Sequence, residues 1–278
     1  MTPLSLFQAL LPQHLISQLA GYIANAEQPQ FKSWLISSFI KHYAVDMQDA
    51  EQKDLAQFKS FNEFFIRRLT ADSRPINRDQ NVIVSPADGQ IAEMGYIAHD
   101  QLIQAKSHYF TLHDLLGGET LSSPFINGAY ATIYLAPHNY HRVHMPYDGK
   151  LVATYFIPGT LFSVNAKSAK AVPSLYSRNE RLVCLFENER IGKFAVILVG
   201  AMIVGSIQLV FEDHPVRSKE LTKTLFDHPH VFKKGEELAH FKLGSTVIVL
   251  FEKDKVVWDN NTNHASEIQF GMRVASLP

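Results

Sequence analysis

Cysteine is nearly absent from this chain: Cys184 is the single thiol among 278 residues. One thiol cannot close an internal disulfide, so the fold must hold by packing alone, as suits a reducing compartment. Cys184 lies in Leu182-Val183-Cys184-Leu185-Phe186. That run reads as a buried strand, where a thiol acts as a small hydrophobe rather than a nucleophile. Excess charge is lacking too. The 26 Lys+Arg and 27 Asp+Glu leave a net charge of -1. Such a balance gives no field that gathers nucleic acid, and no nucleic-acid partner is expected. Long apolar runs are missing as well. The longest, Phe194 to Ile207, is broken by Gly200, Gly205 and Ser206 and falls short of the roughly 18 residues of a spanning helix. No basic residue precedes Lys32, and Pro12, Gln13 and His14 interrupt the early apolar run, so no secretory signal is expected. What is present is ordinary globular composition, 46% hydrophobic and 19% charged, which excludes a disordered chain.

The chain changes character near residue 75. Before it the spacing is helical. Leu4, Phe7, Leu11, Leu15, Leu19 and Tyr22 recur at steps of three and four. A second stripe uses Phe31, Leu35 and Phe39, and Pro29 suits its start. A third, Phe61 to Leu69, carries Phe61, Phe64 and Phe65 on one side. Each predicts an amphipathic helix. After Arg74-Pro75 the runs become short and β-branched. Strands are predicted at Gln90–Ile97, Ala129–Ala136, Leu151–Ile157, Leu182–Phe186, Phe194–Val199, Met202–Phe211 and Thr246–Phe251, with turn residues between them. Residues 212–234 read as a long surface loop, and the tail after Trp258 is weakly patterned. The expected class is α+β: N-terminal amphipathic helices, residues 1–75, followed by a mainly antiparallel β-sandwich or barrel-like core, residues 76–278.

The helices allow two uses. Their apolar faces can dock on the β-core, or part of that surface can lie in a membrane interface. Only Glu27, Lys32 and Lys41 are charged before residue 46, so a membrane grip there would be hydrophobic rather than polybasic.

Three segments could carry chemistry. In Ser85-Pro86-Ala87-Asp88-Gly89, Asp88 is either a turn residue or a carboxylate held at a strand entrance to orient a histidine. In His138-Asn139-Tyr140-His141-Arg142-Val143-His144-Met145-Pro146, the three histidines match no familiar zinc spacing, and no metal is expected. His141 and His144 would point to opposite faces of an extended segment, and histidine suits proton transfer near neutral pH. In Leu243-Gly244-Ser245-Thr246, the pair is either a turn opening a buried strand or a reactive junction. Gly244 has a sterically open carbonyl, and an adjacent serine oxygen can attack it if a base takes the proton.

These three segments, in this order, resemble the phosphatidylserine decarboxylase family. Phe61-Asn62-Glu63-Phe64-Phe65 with Arg67, then Arg74-Pro75-Ile76, also fit it, as do Pro158-Gly159-Thr160-Leu161-Phe162-Ser163 and Lys234-Gly235-Glu236-Glu237-Leu238. The resemblance is dense over residues 45 to 251. It implies a self-processing triad of Asp88, His144 and Ser245, with cleavage between Gly244 and Ser245 into a long chain, 1–244, and a short chain, 245–278. Ser245 would become a pyruvoyl group, so neither metal nor PLP is expected. The implied reaction converts phosphatidylserine to phosphatidylethanolamine and CO2 through a Schiff base. His141 and Ser163 are the implied substrate-binding residues. The implied partners are phosphatidylserine in the bilayer and the two chains as a heterodimer, with a dimer of such heterodimers as a further expectation. The implied place is the cell membrane, peripherally, on its cytoplasmic face. Other readings stand beside this one: a pyruvoyl decarboxylase of a soluble amino acid, a serine hydrolase lacking the Gly-x-Ser-x-Gly elbow, or a β-barrel carrier of lipid.

Overall fold

Seven consecutive buried residues, Ser245–Phe251, form the strand around which the molecule is arranged. A β-branched run with both faces apolar suits only a central position, covered on each side. The computed structural model describes residues 6, 8, 10–105, 108–202, 206–226, 228, 230–242 and 245–278. Within them, the Ser245 strand lies between Ala129–Leu135 and Gly192–Val199 in a nine-stranded sheet. The sheet continues on one side through Arg181–Asn188 and Gly149–Ile157 to the edge strand Thr222–Leu225. On the other side it continues through Gly89–Tyr96 to Glu267–Ile268. Its neighbouring strands all pair antiparallel, and among the described residues the sheet stays open rather than closing into a barrel. Cys184 is fully buried in this sheet, which pushes its thiol far up.

The helical part has a small core of its own. Helix α1 spans Gln13–Ala24, α2 Pro29–Tyr43 and α3 Phe61–Phe65. Pro29 opens α2, and Ala44 ends it in the left-handed conformation. Ala24, Ile36, Val45, Phe58, Phe61, Phe64 and Phe65 pack together. Buried Lys32 stitches α2 to the next segment by donating to the Ala56 carbonyl at 2.7 Å and to that of Phe58.

Several elements differ from what spacing predicts. The third helix stops at Phe65. The predicted strand Met202–Phe211 shrinks to Ile207–Leu209, and residues 203–205 lie outside the described residues. The stretch 212–234 holds two short strands, Thr222–Leu225 and Val231–Phe232, both added to the Gly149 strand. Thr222–Leu225 is held by backbone pairing with its side chains exposed, whereas Val231–Phe232 also buries Phe232 in the main core. The tail is ordered because it pairs back on the core: Glu267–Ile268 with Gln90 and Gly89, and Arg273–Ser276 with Val82–Val84.

Helix α1 is turned opposite to the usual arrangement. Its buried residues are Gln13, Ser17 and Ala24. Its apolar residues face out: Leu10, just before it, is 77% exposed and Tyr22 83%, with Leu15, Leu19 and Ile23 exposed beside them. Trp34 of α2 is 63% exposed. Leu4 and Phe7, also part of the predicted stripe, lie outside the described residues. Among these residues the apolar face of the first helix is therefore not docked on the β-core.

Candidate active site

The register of the sheet gathers the three segments at one end of it. Ser245 pairs with Leu135, and Gln90 pairs with Tyr134. Asp88 thus stands where one strand begins, the histidine segment where its neighbour ends, and Ser245 where the next begins. Gly89 permits this approach: a Cβ there would lie 2.4 Å from the Tyr134 carbonyl oxygen.

Asp88 is buried, and both oxygens are engaged. Arg74 reaches them in a fork, with Nη2 to Oδ2 at 2.7 Å and Nε to Oδ2 at 3.0 Å, while the Phe270 N–H donates to Oδ1 at 2.9 Å. Bidentate charge-assisted pairs of this kind are the strong ones. Arg74 Nη1 also meets Asp49 at 2.7 Å. Burial opposes the Arg74 charge, but the two carboxylates outweigh it and raise its pKa.

His144 has a defined tautomer. Nδ1 lies 2.9 Å from the Gly235 carbonyl, which can only accept, so Nδ1 carries the hydrogen. Nε2 is left with its lone pair, facing the Tyr140 hydroxyl at 3.1 Å. Burial keeps the Tyr140 phenol neutral by pushing its pKa far up. The imidazole lies flat on the Phe270 ring, centroids 3.9 Å apart and planes within 5°. Burial lowers the His144 pKa, with the Gly235 hydrogen bond and nearby charges as smaller influences. The ring is therefore a neutral base at neutral pH.

Ser245 opens the central strand fully buried, and among the described residues its Oγ has no hydrogen-bond partner. Its neighbour Gly244, the other half of the predicted junction, lies outside the described residues, as does Leu243. The structure thus brings Asp88 and His144 together around Phe270 and places Ser245 at the same sheet end. Asp88 is bonded to Arg74 and Phe270 rather than to the imidazole. A buried hydroxyl without a partner costs about 1–3 kcal/mol, so its retention asks for a reason beyond packing.

His141 is also fully buried, stacked on Phe65 with centroids 4.0 Å apart. Among the described residues neither ring nitrogen has a partner in hydrogen-bonding geometry; the Pro137 and Ala136 carbonyls lie only near enough to favour a proton weakly. Burial first, and then the Arg67 charge, hold its pKa at about 3. Arg67 is itself buried and donates to the His138 carbonyl at 3.1 Å, and its Nε has no partner among the described residues. Ser163, half-buried, uses its N–H to reach Gln8 Oε1 at 3.2 Å. A cleft of about 380 Å³ runs beside Asp88, lined also by Arg67, Arg74, Asn139 and Tyr140. Among the described residues no cluster of His, Cys, Asp or Glu could hold a metal ion.

The buried His141 predicts acid sensitivity. In the unfolded chain it takes up a proton below about pH 6.5, whereas the folded ring resists until about 3. The stability this neutral ring contributes is full above pH 6.5 and is lost as the pH falls through that window, at about 1.4 kcal/mol per pH unit. Urea unfolding should therefore show about 2 kcal/mol lost between pH 6.5 and 5 from this one group. The loss should be absent in His141→Gln. Equal pH slopes in the two proteins would remove the claim.

Sequence reasoning alone misses Phe270, the platform under His144, because the tail carries no periodic signal. It also misses Arg74 as the clamp on Asp88 and Tyr140 as the partner of Nε2, although both stand within or beside the quoted motifs.

Comparison with known proteins bears on this geometry. The family model described as Phosphatidylserine decarboxylase matches residues 61–276, and a second, described as PSD, matches residues 4–44. A phosphatidylserine decarboxylase proenzyme of Alcanivorax borkumensis is 46% identical over 267 residues, covering 94% of this chain and 91% of its own. One of Coxiella burnetii is 45% identical, covering 96% and 95%. One of Pseudomonas aeruginosa is 46% identical, covering 95% and 93%. With matches of this extent spanning all three segments, the chain belongs to the phosphatidylserine decarboxylase family of carboxy-lyases.

Proposed function

We propose that this chain is a phosphatidylserine decarboxylase that cuts itself between Gly244 and Ser245 and converts Ser245 into a pyruvoyl group. The observation that carries this reading is the buried Ser245 Oγ, without a partner among the described residues, at the sheet end where the neighbouring strand Ala129–Leu135 leads into the segment that carries the neutral His144 imidazole. His144 Nε2 takes the Ser245 proton, with the Tyr140 hydroxyl as the donor that Ser245 must displace or act through. Oγ attacks the Gly244 carbonyl carbon, the C–N bond breaks, and an ester replaces the peptide. Loss of the Ser245 α-proton expels the Gly244 carboxylate and leaves dehydroalanine. Water then releases ammonia and leaves the ketone. Asp88 favours the transient imidazolium through its charge, and its bond to the Phe270 N–H seats the ring on which that imidazole rests.

The site suits the group that results, since the Ser245 Oγ spends no hydrogen bond on the described residues. A pyruvoyl carbonyl supplies the electron sink that decarboxylation needs and that no standard side chain provides. We assign His144 a second task, returning a proton to the substrate α-carbon. His141, neutral and shielded, handles the carboxylate side of the substrate, and Ser163 lies toward the head group. Residues 76–278 form the catalytic core.

Intact-mass analysis tests the reading. Active protein should give two chains, 1–244 and 245–278, the second lighter by one ammonia than its serine-started sequence. A single uncut mass from active protein would refute it.

Residues 1–75 are the membrane-associating region in this proposal, with the enzyme peripheral on the cytoplasmic face of the cell membrane. The outward apolar face of α1 supports this; no described helix is long and apolar enough to cross a bilayer. Each large side chain moved from water into the interface stabilises binding by about 1.5–3 kcal/mol. Replacing Leu15, Leu19, Tyr22 and Trp34 with serine should therefore weaken liposome binding by roughly a hundredfold or more. Sedimentation with vesicles reads this directly, and unchanged binding would sink the membrane assignment.

A further inference from the structure

A smaller, three-stranded sheet carries the base. It runs in the order Ile207–Leu209, Glu237–Phe241, Arg142–His144, with both pairs antiparallel. Its register sets Glu237 opposite His144. Directly opposed residues of an antiparallel pair share a face, with Cβ atoms about 4.5–5.5 Å apart. Arg142 lies two positions from His144 and shares that face too. Its Nη1 meets both Glu237 oxygens at 2.8 Å, and its Nε donates to the Ile66 carbonyl at 2.8 Å. His240, three residues from Glu237, would face the other way in a regular strand. The register slips between Glu237 and Ala239, so that His240 pairs with Arg142. A bulge of this kind brings the side chain back to the same face, and His240 Nδ1 lies 3.6 Å from Glu237 Oε1.

The segment before Glu237 grips His144 through its backbone. The Met145 N–H donates to the Glu236 carbonyl at 2.8 Å, and the Gly235 N–H donates to the Met145 carbonyl at 2.9 Å. The Gly235 carbonyl accepts from Nδ1 of the imidazole. Gly235 has φ +83°, and a Cβ there would run into Ile76 Cδ1, so the turn that aims this carbonyl needs glycine. The charged and titratable groups facing the imidazole are Glu237 from the opposite strand, Arg142 and Tyr140 from its own segment, and Asp88 from the end of the large sheet. Asp88 is already engaged by Arg74 and the Phe270 N–H. Burial opposes ionisation of Glu237, but His240 and Arg142 outweigh it and hold its carboxyl below the usual range. Glu237 is therefore negative at neutral pH.

We infer that Glu237 is a positioning residue for His144: Arg142 holds its carboxylate across the strand pair, the segment so fixed presents the Gly235 carbonyl to Nδ1, and a negative charge faces the ring when Nε2 takes a proton. The inference rests on His144 being the base of the proposed reaction. A buried imidazolium needs an anion near it to offset its desolvation. Arg142 opposes that imidazolium, so the pair leaves the resting ring neutral and still supports the charge that forms on it.

Two substitutions should move the imidazole in opposite directions. Both are made in full-length Ser245→Ala protein, and the His144 ring is followed by NMR as the signal lost in His144→Gln. Glu237→Gln keeps the shape and an acceptor for Arg142 but removes the charge, so the His144 titration midpoint should fall by about one pH unit. Arg142→Gln removes the opposing charge, and the midpoint should rise by a similar amount. Glu237→Asp keeps the charge and should leave the midpoint near that of its parent. If Glu237 were only structural, replacing it would admit water to the ring and raise the midpoint toward about 6.5. A rise or no change in Glu237→Gln overturns the inference, as does a fall in Arg142→Gln or an aspartate variant as low as the glutamine one. With Ser245 in place, Glu237→Gln should slow self-cleavage roughly threefold or more at neutral pH and move the acid limb of the rate to lower pH. Slowing with an unmoved limb also overturns it. The NMR arm needs neither cleavage nor turnover, so its failure is distinct from a failure of the decarboxylase reading.

Discussion

A Ser245→Ala chain should remain one polypeptide of full length and release no CO2 from phosphatidylserine. The argument is chemical: the proposed cleavage needs an oxygen on that side chain, and a methyl group has no lone pair to offer the neighbouring carbonyl. The same change should not harm the fold. Ser245 Oγ is buried and makes no hydrogen bond among the described residues, so removing it relieves a desolvation penalty of about 1–3 kcal/mol rather than breaking a contact. The variant should therefore melt no lower than an uncut wild-type chain. Mass spectrometry, a CO2 assay and a thermal scan read the three outcomes. Cleavage at the same junction in the alanine variant would remove Ser245 from the mechanism.

His144→Ala should slow self-cleavage by about 10²–10⁴-fold, the usual worth of a positioned general base. The pH dependence in wild type carries the finer claim. Because burial lowers the His144 pKa, the base form persists below pH 6.5. The cleavage rate, followed by mass on freshly made precursor, should be level from neutral pH down past 6.5 and fall only in more acid solution. A fall centred at or above 6.5 would contradict an imidazole held on the Gly235 carbonyl and the Phe270 ring.

Much of this site is legible in the residues themselves. The Asp88-Gly89 turn, the histidine segment and the Gly244-Ser245 pair each flank an apolar run, and strand periodicity alone predicts the runs they flank. What periodicity does not carry is partnership. Nothing in the spacing says that Asp88 is bonded to Arg74, or that a phenylalanine 126 positions beyond His144 lies under it, since such contacts depend on how distant segments meet. The orientation of α1 is illegible for a different reason. A stripe of leucines every three or four residues gives a helix and its apolar side, but the stripe is the same whether that side faces a protein core or a bilayer. Only the burial of Gln13 and Ser17 separates the two. The strand Thr222–Leu225 escapes because an edge strand with exposed side chains has no apolar pattern, and Val231–Phe232 escapes because two residues are too few to show a period.

The place of the Ser245 strand decides what becomes of the pieces if the bond before it is broken. That strand is hydrogen-bonded on both flanks to the longer piece, and the Arg273–Ser276 strand is clasped to Val82–Val84 as well. Scission would therefore yield two polypeptides but not two molecules. The shorter fragment could leave only if the middle of the sheet were torn open, so the pair would part in denaturant and not on dilution. Stripped of its interior member, the larger fragment would have no way to regain its shape unaided.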